Sequence, residues 1–152
     1  MTAIMHSKII EISETPMVRD EYMSDGCFLP EEYERFADYI QSVPQDREND
    51  IISWLDKHGI FERNGRELTL LDLNPFIEEW RQEIKKRANN IDFTDGLALY
   101  RLKEVVKETH RESSLMFYFG EFMPMGELVH WLYNHYQPGD KFYIGGILDY
   151  HF

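Results

Sequence analysis

The sequence predicts an α+β fold in a single domain over 1–152, and three observations predict it. A β-branched, alternating run opens the chain ("SKIIEIS", 7–13), an Asn-Gly pair divides a second such run (60–71), and an apolar run closes it ("KFYIGGILDYHF", 141–152). Between these runs, apolar residues recur at helical spacing. The strand-like and helix-like stretches do not alternate regularly. The pattern therefore suits a mixed or antiparallel sheet of about four to five strands packed with about four to five helices, rather than a doubly wound parallel sheet.

The elements follow in order. The run 7–13 reads as the first strand, and "ETPMVRDEYMSDG" (14–26) as an exposed loop. The stretch 29–43 reads as a helix. Tyr33, Phe36, Ala37 and Ile40 have helical spacing, Pro30 suits the first turn, and Glu31, Glu32 and Glu34 complement the positive end of the dipole. A second helix follows Pro44 on the stripe Ile51, Ile52 and Leu55, with Gly59 placed to end it. The run 60–71 reads as a hairpin. A two-residue Asn64-Gly65 turn would oppose Arg63 to Arg66 and Glu62 to Glu67. A three-residue loop with a bulge at Gly65 instead opposes Glu62 to Arg66 and Ile60 to Leu68, and is favoured because opposite charges across strands attract.

The next helix starts near Asn74, which can cap it, with Pro75 first inside. Ile77, Trp80, Ile84 and Ala88 share a face, and Lys85, Lys86 and Arg87 suit the negative end. The run 97–110 fits helix through Leu102, Val105, Val106 and Thr109, although it also alternates tolerably. A buried strand (114–120), a short helix (125–136) stopped by Pro138-Gly139, and the final strand complete the chain. In that strand the even positions from Phe142 to Phe152 form the core face and the odd positions, including Asp149 and His151, the other. Gly145-Gly146 can permit a bulge or a close backbone approach.

Composition narrows the function. At 152 residues and 43% hydrophobic, the chain can bury a core without a metal or disulfide, and its one cysteine, Cys27, forms no intrachain bridge. The start has no signal-peptide pattern and no apolar run is long enough to cross a bilayer, so a cytoplasmic location is expected. The net charge is −12, and residues 1–50 carry 12 acidic against 4 basic side chains. That segment repels nucleic acid and anionic lipid and attracts a basic surface. A plainer reading is a solvated, solubilising face.

Motifs for chemistry are sparse. Gly145-Gly146 is not a phosphate loop, no G-x-S-x-G is present, and Cys27 stands in no reactive motif. Glu127 and His130 share a helical face, but no second copy of that spacing exists, so no metal and no cofactor are expected. The acid–base candidates are Asp149, His151, His130 and Tyr143. Eleven of the 22 aromatics lie from Phe117 to Phe152. Phe117, Phe119 and Trp131 are expected in the core, and Tyr118, Tyr133, Tyr136 and Tyr143 in an exposed patch.

The leading expectation is a non-enzymatic acidic module that docks a basic protein surface, such as an inhibitor or immunity-type protein acting on a nucleic-acid-handling partner. Its binding residues would be Asp20, Glu21, Asp25, Glu31, Glu32, Glu34 and Asp38. The alternative is a small enzyme with an acid–base site at Asp149 and His151. A third is a homodimer paired through an edge strand or through the tyrosine and methionine surface.

Overall fold

The computed structural model describes residues 6–111 and 115–151, with backbone alone for residues 6 and 106–111. Its strands are β1 (His6–Ser13), β2 (Tyr39–Ser42), β3 (Phe61–Asn64), β4 (Glu67–Leu70), β5 (Leu115–Tyr118), β6 (Phe122–Pro124) and β7 (Lys141–His151). The α-helices are α1 (Pro30–Tyr33), α2 (Glu48–Ile52), α3 (Asn74–Asn89), α4 (Ala98–Arg111) and α5 (Met125–His135). The strands form one mixed seven-stranded sheet in the order β3-β4-β7-β1-β5-β6, and β2 also pairs with β7. The fold is α+β, as the sequence predicts. The sheet is larger than expected because β2 and β6 span only four and three residues, too few for alternation to mark them.

The closing strand is the centre of the sheet. Along one edge β7 pairs with β1 from Tyr143 to His151. Along the other it pairs first with β4, through Lys141–Tyr143, and then with β2, through Leu148–His151. Between those two partners lie Gly145 and Gly146. The β1–β7 register shifts there, from Ile10↔Ile147 to Ile12↔Ile144, so β7 carries one extra residue. This bulge overturns the even–odd division of the tail. Phe142 and Ile144 pack on one face, but beyond the bulge Ile147 joins them while Leu148 and Tyr150 turn to the opposite face. Both faces are therefore core. Phe152 lies outside the described residues.

On the first face, α2, α5 and the β3–β4 hairpin bury Ile52, Ile60, Leu68, Leu128 and Phe142 against β1 and β5. On the second face, residues 23–40 cover Ile9, Met116 and Leu148 with Met23, Phe28, Phe36, Ala37 and Ile40.

The expected helix over 29–43 is replaced by one turn (α1) and a strand (β2). Pairing decides this: without β2, the backbone of β7 from Leu148 onward would lack a partner on that edge. Bonds from Asp38 N to His151 O (2.7 Å) and Val43 N to Ile147 O (3.1 Å) bracket β2. The hairpin also differs. Asn64 pairs with Glu67 and Arg63 with Leu68, which leaves a two-residue Gly65-Arg66 turn. Only Gly65 has positive φ (62°), as a type II′ turn requires. This register removes both like-charge pairs. It also sets Arg63 against Asp56 (2.8 and 2.9 Å).

Helix α2 is short and runs into a 3-10 turn (Ser53–Lys57), and Gly59 follows with φ 69°. The cap of α3 is not Asn74, which is already helical. Asp72 accepts from Asn74 N (3.0 Å) instead. The predicted α3 stripe is not buried: none of its residues is, and only Phe76 and Ile77 reach the core. Helix α4 resolves the ambiguous run as helix and packs on α3. The tip of that helical pair exposes Phe93, Leu97, Leu99 and Tyr100. The side chains of Val106 and Thr109 lie outside the described residues. Trp131, expected in the core, is 40% exposed. The expected tyrosine patch does not assemble. Tyr118 packs on Phe28 and Phe122, and Tyr136 packs on Phe119 and Phe142 on the opposite face.

Two predictions follow from packing. A Cβ on Gly146 would lie 2.2 Å from the Met23 carbonyl oxygen, which is backbone and cannot swing away. Gly146→Ala should cost about 3 kcal/mol or more in urea denaturation. Gly96→Ala, which meets nothing within 4 Å, should stay within about 0.5 kcal/mol of wild type. Equal effects would refute the bulge constraint.

The Tyr136 hydroxyl donates to Glu14. Burial first, and then that bond and the Glu14 charge, push its pKa from the ordinary 10.0 up to about 12. Folding thus favours the protonated phenol. That contribution is full below the unfolded value of 10.0 and is lost as the pH rises through about 12. A wild-type minus Tyr136→Phe absorbance titration should show a phenol ionising near 12, and Glu14→Gln should bring its midpoint down.

Candidate functional site

The acidic segment is built as a lid over the second sheet face. Met23, Phe28, Tyr33, Phe36 and Ala37 point in, whereas Leu29 is left exposed. Asp20, Glu21, Asp25, Glu31, Glu32, Glu34 and Asp38 are all exposed. Three of them have local partners. Asp25 accepts from Ser42 Oγ (3.2 Å), Glu32 accepts from Leu29 N (2.6 Å), and Asp38 Oδ2 lies 3.6 Å from His151 Nδ1. Asp20, Glu21, Glu31 and Glu34 make no ion pair among the described residues.

Two arginines clasp the front of this segment to the body. Glu48, on α2, is 7% exposed. Arg19 approaches it with two nitrogens (3.2 and 3.1 Å), and Arg66 Nη2 approaches from the hairpin turn (3.3 Å). The Tyr22 ring contacts both guanidinium groups, at 5.2 Å from Arg19 and 4.9 Å from Arg66. Arg66 also donates to Tyr22 Oη (3.1 Å) and to Gly145 O (3.0 Å), so one side chain joins the lid, the hairpin and the bulge. The bond to Glu48 raises the Arg19 pKa further above its ordinary value. Of these four residues the sequence drew attention only to Arg66, for its charge in the hairpin, and the cluster itself was not visible because its members come from separate elements and form no local motif.

The acid–base candidates do not converge. Asp149 accepts from Lys8 Nζ (2.8 Å) across the β1–β7 ladder. His151 is on the same face, and its ring stacks on Tyr39 (5.1 Å, 12°). Tyr143 is six residues up the strand from Asp149, roughly 20 Å away at strand rise. His130 is on α5, where Asn134 Nδ2 donates to its carbonyl (2.7 Å). Thus Asp149 and His151 are neighbours, and the other two are elsewhere.

His130 instead lines a cleft of about 270 Å³ with Trp80 of α3, Met123 of β6, Glu121, and Glu127 and Trp131 of α5. On the other side of β6 a second cleft, of about 350 Å³, is lined by Arg35, Phe36, Met116 and Phe122, with the same Glu121 and Glu127. The Glu127–His130 spacing was visible in the sequence, whereas Trp80 and Glu121 arrive through the fold. Cys27 is exposed, and its sulfur lies 3.4 Å from Ser24 N. Among the described residues, no group of three or more His, Cys, Asp and Glu side chains is placed to hold a metal, and no helix is long and apolar enough to cross a membrane.

No family model, curated protein or solved structure matches this chain.

The clasp makes an ordered prediction. Arg66→Ala leaves the buried Glu48 with one partner and should cost about 2–4 kcal/mol in urea denaturation. Arg19→Ala should cost clearly less, because that side chain is 47% exposed. The reverse order would show that Arg66 does not carry the junction.

Proposed function

We propose that this protein is a non-enzymatic acidic binding module that docks a basic surface of a protein partner through residues 20–38. In this reading it acts as an inhibitor or immunity-type protein against a nucleic-acid-handling enzyme. One observation carries the reading: seven exposed carboxylates lie on a single segment whose inner side is packed down and clasped. Only Arg19 and Arg35 are basic within 19–38, and Arg19 is already paired with Glu48. The outward field of the segment is therefore strongly negative. Such a field speeds encounter with a basic partner, and a segment held in place loses little freedom on binding.

The test neutralises charge without touching the packing. In Asp20→Asn/Glu21→Gln/Glu31→Gln/Glu34→Gln, the association rate with a partner captured from source lysate should fall about tenfold or more, and its salt dependence should flatten. Wild type should release the partner at high salt, because exposed charge contacts are screened. An acidic partner, or one held equally by the variant, would overturn the reading.

A further inference from the structure

We propose that the cleft between Trp80 and Trp131 receives the cationic side chain of a lysine or arginine presented by the basic partner. The two indoles and Met123 make its walls mostly apolar, while Glu121 and Glu127 stand at its edge. Neither carboxylate makes an ion pair among the described residues, although Arg35 borders the neighbouring cleft that shares them. Three classes of occupant can be compared. An anion meets two like charges. A neutral apolar group satisfies the indoles but strips water from two carboxylates without replacing it. A cation on an alkyl stem satisfies both, with its stem along the rings and its charge on the carboxylates and the indole faces. Stacking of Trp131 on His135 (3.7 Å, 20°) holds one wall in place before anything binds. His130 also lines the cleft.

This inference rests on the reading of a basic partner, but its test needs none. The chain has three tryptophans, and Trp54 packs at the edge of the first-face core, outside the residues that line the cleft, so it serves as an internal reference. The full-length 15N-labelled protein is titrated with N-acetyl-arginine amide, N-acetyl-lysine amide and, as a neutral control, N-acetyl-leucine amide, and the three indole N–H signals are followed. The Trp80 and Trp131 signals should shift saturably with the two cations, with a Kd on the order of millimolar, while Trp54 stays still. Glu121→Gln/Glu127→Gln, both exposed positions, should weaken binding at least tenfold. Trp131→Phe should weaken it less. The variant neutralised at Asp20, Glu21, Glu31 and Glu34 should keep its response, which separates this cleft from the acidic lid. Unmoved Trp80 and Trp131 signals, an equal response to the leucine amide, or full binding by the double glutamine variant would each overturn the cleft assignment and leave the lid reading standing.

Discussion

The fold depends on one carboxylate. Glu11 is 9% exposed, and its Oε1 accepts from Gly146 N and from Met23 N, each at 2.9 Å. Burying a carboxylate is costly unless its oxygen is met by donors, and two backbone N–H groups meet it here. In doing so it joins three separated pieces of chain: the first strand, the bulge of the last strand and the start of the acidic lid. The glycines make this approach available. Side-chain carbons at Gly145 or Gly146 would lie 2.2 Å from Glu11 Oε1 or from Met23 O.

From that junction the architecture follows. The bulge turns the side chains of β7 over in mid-strand, so one strand supplies Phe142, Ile144 and Ile147 to one core and Leu148 and Tyr150 to the other. It also falls where the outer edge of β7 changes partner from β4 to β2. Arg66 fills that gap with its backbone and side chain, accepting from Ile144 N (2.9 Å) and donating to Gly145 O (3.0 Å). The same guanidinium reaches Glu48 and Tyr22, so the device that seals the sheet also seats the lid.

Electrostatically, the molecule separates its charges by role. Buried or half-buried carboxylates, Glu11 and Glu48, work inward on backbone N–H groups and arginines. The carboxylates of 20–38 work outward, and four of them are left to solvent or a partner. Arg19 and Arg66 are both engaged with Glu48. In the function proposed above, the outward carboxylates serve recognition by charge, and the Trp-lined cleft adds shape to it.

Local signals in the sequence determined the class of fold, the hairpin at 60–71, the helices beginning near Asn74 and Met125, and the apolar strand at the C-terminus. Each of these is a run long enough for periodicity or turn chemistry to act within a few residues. The acidic excess of residues 1–50, which includes the seven exposed carboxylates, was also legible, because a charge imbalance over fifty residues is a local property. Tertiary structure alone decided the rest. Residues 36–42 carry apolar spacing that suits a helix, yet β7 needed a partner on its open edge, and pairing outweighed propensity there. Gly145-Gly146 announced only that something could come close; Glu11, 134 residues before Gly145, is what does. The Glu48 clasp and the Trp80–Trp131 cleft were invisible for the same reason. Their parts share no local period, and only long-range packing brings their side chains within reach of one another.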